Sequence, residues 1–409
     1  MKYWLALLAL LWSQIGLASG TIDARTFDLL MKSQELVQQN QFDQAITTLE
    51  KVKAKKNLSS YARAQMWNYF AYAYVSKESF SNAKDAYQSL LAEADAPEAL
   101  KANAIHGLSQ LCFQLADYDC SIRYAQQVLT HNPQDIAILM LLTQSYYQKQ
   151  NYPKALDYIT SVINLGSKQK RPKESWLQLK MALQYELNQY AAAEKTLRKL
   201  ISYYPKERYL RQLSSLLGQQ DKTKQRLAVM DALYQQGKLD IESELMNLAY
   251  LWSEHHAPYR AGQLIEQSMQ DGAIQANGKT TQTLANLWQA SQERNKATDA
   301  LKQAAKLTHD PNLYAQLATI YYQQQDYAQA LEYADKALSS TSLNQPGQVQ
   351  IIKGGALFYL EKYEQALLPF RQAQRHKYSV KQATAWERYT LNEIKRRNWL
   401  ASLRAQTQQ

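Results

Sequence analysis

The stretch that decides the fold is Tyr321–Leu338, YYQQQDYAQALEYADKAL. It holds four tyrosines, four glutamines and three acidic residues, but no Cys, His or catalytic Ser. Ala330, Ala334 and Ala337 recur at helical spacing. Just upstream, Tyr314, Leu317, Ala318 and Tyr321 fall at i, i+3, i+4 and i+7. Two helices are predicted on either side of a short polar break, A through YAQLATIYYQQ and B through YAQALEYADKAL. A large side chain at Ala318 or Ala330 would force the axes apart, so these small residues mark a close helix crossing. Tyr321 and Tyr327 fill the space around it.

The same text occurs earlier. YYQKQNYPKALDYITSVI, Tyr146–Ile163, aligns without a gap at an offset of 175 residues. Identities fall at Tyr146/Tyr321, Tyr147/Tyr322, Tyr152/Tyr327, Ala155/Ala330 and Tyr158/Tyr333. Duplication of a helix pair signals a solenoid. A small residue in helix B sets the register: Ala45, Ala83, Ser121, Ala155, Ala193, Ala261, Ala297, Ala330 and Ala366. Ten units follow, beginning near Thr26, Ala64, Ala102, Ile136, Glu174, Glu207, Glu242, Gly278, Pro311 and Gly347. The sixth has Arg226 at the small position. In the fifth, Tyr185 stands one residue out of phase. Pro133, Pro205, Pro311 and Pro346 lie at unit boundaries and Pro153 and Pro258 at A-to-B turns, where no internal helix N–H is needed. Pro369 falls inside a B-helix and predicts a kink.

This pattern of bulky, small and aromatic residues resembles the tetratricopeptide repeat (TPR). The resemblance implies an all-α fold, a right-handed superhelical solenoid of about ten helix pairs over residues 21–378. Residues 379–409 then supply a capping helix (Ser379–Arg404) and a basic tail, since the last apolar face of an array needs cover.

Composition agrees with an all-helical chain: 409 residues contain only 12 Gly and 9 Pro. Residues 1–20, MKYWLALLALLWSQIGLASG, read as a secretory signal peptide: Lys2, an apolar run from Tyr3 to Trp12, then small residues. Cleavage after Ala18 and after Gly20 fit equally, and the competing reading is an uncleaved anchor. Export makes a Cys112–Cys120 disulfide one option. Two buried thiols are the other. The net charge is +11, concentrated in residues 167–224 and 375–409. An exported chain with basic patches is expected to meet anionic lipid or acidic protein rather than nucleic acid. For the C-terminal tail, a solvated face of the capping helix competes with that expectation.

No motif for catalysis, nucleotide binding or metal is found. The six histidines include no HExxH pattern, and His255 and His256 are adjacent at a turn. No enzyme activity, cofactor or metal is expected. What remains is the A-helix face turned away from helix B. It is predicted to carry Asn68, Tyr72, His106, Gln110, Phe113, Gln144, Tyr147, Gln178, Tyr185, Tyr250, Asn286 and Tyr322. Amides pair with a peptide backbone and aromatic faces bury apolar or proline side chains. Only Arg208 and Arg211 are available to clamp a terminal carboxylate, so the expected ligand is an extended internal peptide segment.

Four segments carry a narrower resemblance: RPKESWLQLKMALQYEL, YYPKERYLRQLSSLLGQ, YQQGKLDIESELMNLAYLW continuing through HHAPYRAGQLIEQSMQDGAI, and NQPGQVQIIKGGALFYLEKYEQAL. They resemble periplasmic TPR proteins of Gram-negative bacteria whose genes accompany TonB–ExbB–ExbD energy-transduction systems. The resemblance covers roughly residues 170–400. It implies a periplasmic scaffold whose partner is a TonB-type transducer or its receptor. The alternative is an adaptor of cell-envelope assembly or cell-wall machinery.

Overall fold

The computed structural model describes residues 22–167 and 171–407. The segment read as a signal peptide lies outside the described residues. Among those residues there are twenty-one α-helices and no strand. They pair in chain order: α1 (Ala24–Gln38) with α2 (Phe42–Lys53), α3 (Ser60–Ser76) with α4 (Phe80–Leu91), and α5 (Glu98–Gln114) with α6 (Tyr118–His131). Next come α7 (Ile136–Gln148) with α8 (Tyr152–Ser167), α9 (Glu174–Glu186) with α10 (Tyr190–Tyr203), and α11 (Glu207–Gly218) with α12 (Thr223–Gln235). Then α13 (Glu242–Glu254) precedes α14 (Pro258–Gln270), α15 (Gly278–Ala290) precedes α16 (Arg294–Thr308), and α17 (Pro311–Gln323) precedes α18 (Tyr327–Leu338). Finally α19 (Pro346–Tyr359), α20 (Tyr363–Ala373) and the long α21 (Val380–Thr407) close the chain. The odd-numbered helices from α1 to α19 are the A-helices.

Side-chain caps explain several starts. Asp23 accepts from Thr26 N at 2.9 Å and Ser59 from Ala62 N at 3.1 Å. These caps and Pro97 start α1, α3 and α5 two to four residues ahead of the sequence register. Asn277 and Thr280 make a reciprocal capping box at α15. Pro258, Pro311 and Pro346 open their helices, where the missing N–H costs nothing.

Every A-to-B turn has the same backbone design. One residue takes left-handed φ between 53° and 65°: Asn40, Glu78, Ala116, Gln150, Asn188, Asp221, His256, Gln292, Gln325 and Glu361. The next N–H reaches back five residues to the A-helix carbonyl, for example Asn151 N to Tyr146 O at 2.9 Å and Asp326 N to Tyr321 O at 2.9 Å. All ten turns make this bond, the signature of a Schellman end. None of the ten residues is glycine. The turn therefore rests on this bond and on packing, and a common turn gives every helix pair a common register.

The chain forms two compact units, Met1–Tyr209 and Leu210–Gln409. Their boundary falls inside α11. In unit 1, Arg171 Nη1 donates to Tyr203 O at 3.1 Å and the Tyr204 hydroxyl to Pro172 O at 2.9 Å. In unit 2, Ile274 is buried and Gln275 N donates to Glu242 Oε2 at 3.3 Å.

Within unit 1 the core runs along the helix pairs, with Leu30, Leu49, Met66, Phe70, Leu90 and Leu108 fully enclosed. The helix-B small residues Ala45, Ala83, Ser121, Ala155 and Ala193 are completely buried. In unit 2, Ala261, Ala330 and Ala366 are completely buried too, and Ala297 is half-buried. Arg226 is accommodated by a size exchange: it lies over Gly218, where an added Cβ would stand 3.4 Å from its Nη1. The kink expected at Pro369 does not break the helix, because α20 runs through that residue, which is buried. α21 covers the end of unit 2 through Ala383, Trp386, Thr390 and Ile394. No described helix is long and apolar enough to cross a membrane.

Candidate functional site

The repeated turn gives a ruler. Counting back from its left-handed residue, four residues earlier comes the core position, where Tyr146, Tyr321, Trp252 and Trp288 are buried and Leu36 and Tyr74 half-buried. Ten, six and three residues earlier lie on one face of the A-helix, at the i, i+4, i+7 spacing. The twelve face residues read from the sequence all fall at these places. Asn68, His106 and Gln178 are ten residues before. Tyr72, Gln110, Gln144, Tyr250 and Asn286 are six before. Phe113, Tyr147, Tyr185 and Tyr322 are three before.

The fifth unit departs as its sequence indicates: Tyr185 stands one residue past the core position, three residues before Asn188, as Tyr147 is before Gln150. The core position of that unit is Gln184, buried, whose amide oxygen accepts from the Thr196 hydroxyl at 2.7 Å. A buried amide needs such a partner, and Thr196 supplies it. One expectation needs correction: the rings three before the turn do not point away from helix B. Phe113 meets Tyr118, Tyr147 meets Tyr152, Tyr185 meets Tyr190 and Tyr322 meets Tyr327, with centroids 5.4–5.7 Å apart. The left-handed turn doubles the chain back and brings residues five apart together. These edge-on or tilted pairs brace the turn while leaving Tyr147 and Tyr185 exposed by 38% and 45%.

In unit 1 the direct contacts between next-nearest helices run between odd-numbered ones: α1–α3, α3–α5 and α5–α7. The A-helices thus lie on the inner side of the local stack. Tyr72, Tyr147 and Tyr185 present exposed rings there, and their hydroxyls have no hydrogen-bond partner among the described residues. The Gln110 and Gln144 amides are half-buried and likewise unengaged. The sequence reading missed Gln34. It stands six residues before its turn, like Tyr72, Gln110 and Gln144, and its Oε1 is buried with no donor. Its signal was that shared register place. Across the four complete helices that touch here and α9, the three face positions hold no Lys, Arg, Asp or Glu.

Other members are occupied. Gln178 donates to the Tyr209 hydroxyl at 2.7 Å. Arg208 pairs with Glu174 at 2.7 Å and also bonds Tyr209. Lys206 reaches the same carboxylate at 2.7 Å. Hydrogen bonds from Lys206 and Tyr209, with Arg208 behind them, hold the Glu174 carboxyl down to about 2. In unit 2, Arg211 is paired with Glu244. Neither arginine is spare for a terminal carboxylate.

Unit 2 also carries Tyr250 and Asn286, both exposed, and a cluster around Tyr322. Tyr322 is half-buried: its ring packs where a Cβ at Gly355 would stand, and burial, with Tyr359 and Tyr327 nearby, pushes its hydroxyl up to about 12. Tyr327 stacks on Tyr359 at 4.6 Å, and Phe358 joins that group to Trp386 and Tyr389 of α21. Tyr322 is therefore largely a packing residue, held by the next A-helix.

Cys112 and Cys120 are joined in a disulfide, with Cα atoms 5.6 Å apart. The left-handed turn at Ala116 brings the ends of α5 and α6 that close. They account for two of the three groups in the one candidate metal cluster among the described residues, with Asp117, so those sulfurs are committed to each other. His255 Nε2 lies 3.1 Å from the Thr223 hydroxyl, and His256 is the left-handed residue of its turn.

Residues 311–342 match the family model of the tetratricopeptide repeat. The chain carries tetratricopeptide-type repeats. Residues 31–168 match the model of the RNPP family C-terminal domain. No enzymatic family is among these matches, and no curated protein matches the chain. Similar solved structures include a TPR protein from Parabacteroides merdae ATCC 43184, 15% identical, covering 60% of this chain and 93% of its own, with a TM-score of 0.35. MamA AMB-1 is 15% identical over 44% of this chain and 92% of its own, TM-score 0.37. The TPR2AB domain of yeast Sti1 in its pHSP90 complex is 13% identical over 63% and 98%, TM-score 0.34.

Proposed function

We propose that the protein is a non-enzymatic scaffold that holds an extended internal peptide segment of a partner protein on the A-helix face of unit 1. The observation that carries this is the uncharged face itself: three exposed tyrosines with free hydroxyls, interleaved with glutamine amides that nothing in the fold uses. Buried or half-buried amides left without partners are costly, and a peptide backbone supplies both donors and acceptors to them. Ring faces suit proline and other apolar side chains of a segment in polyproline II conformation. The pairing of Arg208 and Arg211 with acids argues against capture of a free carboxylate.

The compartment in this reading is the periplasm. It is supported by the composition of residues 1–20 and by the disulfide, a bond typical of oxidising surroundings. The partner is a TonB-type transducer or its receptor, a reading that rests on the resemblance of the segments between residues 170 and 400. Calorimetric titration of the chain with the Pro-rich periplasmic segment of that transducer tests it. Saturable binding is expected, weakened at least tenfold by Tyr147→Ala with Tyr185→Ala and unchanged by Tyr203→Ala on α10. Equal binding by the tyrosine variants would overturn the assigned face. No binding to the transducer would overturn the assigned partner.

A further inference from the structure

α21 has two faces with different chemistry. One packs on the end of unit 2 through Ala383, Trp386, Thr390 and Ile394. Both acids of the helix are used on or beside that contact. Glu387 is held by Arg371 at 2.7 Å and Gln374 at 2.6 Å, and Glu393 by Arg396 at 2.6 Å and Arg397 at 3.3 Å. The opposite face carries Lys381, Arg388 and Lys395. All three are exposed, and none has an acidic partner among the described residues. They are spaced by seven residues each, which on a helix sets one cation every ~10 Å along a nearly straight line. The line ends in apolar side chains: Trp399, four residues beyond Lys395, is 60% exposed, and Leu403, four further, is 38% exposed.

We propose that this face of α21 docks the protein on an anionic lipid surface, with the three cations over headgroups and Trp399 and Leu403 inserted at the interface. The argument is charge complementarity joined to exposed apolar surface. A protein ligand carrying acids would neutralise the cations but leave Trp399 and Leu403 without a stated use. A lipid interface takes both, since indole and leucine side chains enter the headgroup boundary while Lys and Arg remain with the phosphates. The helix lies along the surface rather than through it, as its mixed composition requires. None of its residues belongs to the peptide face proposed on unit 1.

Each basic side chain near an anionic bilayer strengthens binding roughly fivefold. Neutralising three should weaken it roughly 100-fold. The test is co-sedimentation of the full chain with phosphatidylcholine vesicles, with and without one-quarter phosphatidylglycerol. Both variant and parent chains carry the same N-terminal segment, so its contribution cancels. The parent should bind anionic vesicles well above neutral ones and be released by salt near 1 M, where the screening length is about 3 Å. Lys381→Gln/Arg388→Gln/Lys395→Gln should abolish the preference, Trp399→Ala/Leu403→Ala should weaken binding, and Lys381→Arg/Arg388→Lys/Lys395→Arg should retain it. All these positions are exposed, so circular dichroism of the variants should match the parent. Equal binding by the parent and the triple Gln variant would overturn the proposal. So would equal binding to neutral and anionic vesicles, or binding to soluble polyglutamate without binding to vesicles.

Discussion

Replacing Gly354 by Ala should destabilise unit 2, although the substitution improves an α-helix. Gly354 lies in α19 and is buried. A Cβ there would stand 2.5 Å from Cε1 of Phe370, 2.7 Å from Cδ1 and 2.8 Å from Cζ. That ring cannot swing aside easily: it is fully buried and stacks on Trp386 at 5.7 Å with planes 9° apart. Helix propensity favours Ala by about 1 kcal/mol. Overpacking a filled core costs about 1–3 kcal/mol. The sum predicts a net loss of about 1 kcal/mol. A double-mutant cycle makes the sign decisive. Phe370→Leu alone leaves a cavity and should cost a few kcal/mol. In that background Gly354→Ala should become stabilising by about 1 kcal/mol, a coupling of about 2 kcal/mol. Helical arrays depart from two-state unfolding. The suitable readout is therefore hydrogen exchange of the α19 and α20 amides alongside the urea midpoint. Stabilisation by Gly354→Ala in the parent, or no coupling with Phe370→Leu, would refute the close-packing argument.

Three further outcomes follow from the same geometry. Ala116→Gly should stabilise by about 0.5–1 kcal/mol, because left-handed backbone costs a residue with a Cβ about 1–2 kcal/mol and the extra chain entropy of Gly offsets only part of it; a lower urea midpoint would contradict this. Removing the disulfide with Cys112→Ser/Cys120→Ser closes no loop in the unfolded chain, so unit 1 should lose roughly 2–3 kcal/mol, read as a fall in its urea midpoint. The Glu174 carboxyl, held at about 2 against an ordinary 4.5, contributes stability that is present above pH 4.5 and lost as pH falls toward 2; Glu174→Gln should flatten the unit 1 midpoint over that window, and an unchanged pH profile would contradict the ion cluster.

The alternation of helices was legible because its cause is local. Small residues such as Ala155, Ala193 and Ala330 must stand where axes cross, and all three are completely buried. The inner-face register was legible for the same reason, since tyrosines and amides recur at helical spacing. The turns were not. Their left-handed residues include Glu78, Ala116 and Glu361, which carry no turn signature, because a backbone bond to the A-helix holds the turn. Without that ruler Gln34 went unnoticed. What makes room for Arg226 at the small position was not legible either, because Gly218 lies on the other helix of the pair. The occupation of Gln178 and Arg208 by Tyr209 and Glu174 was hidden too, since these groups lie more than thirty residues apart or depend on rotamers that periodicity does not specify.

The uncharged face of unit 1 is tested most directly by photo-crosslinking in cells. A photoreactive phenylalanine is placed at Tyr72, Tyr147 or Tyr185 on the A-helices, and at the exposed Gln127 or Tyr203 on the B-helices as controls. The account predicts that the three A-helix positions capture one and the same partner protein, through a single extended segment, while the two B-helix positions capture none of it. Capture of that partner from Gln127 or Tyr203 but not from Tyr147 or Tyr185 would contradict it.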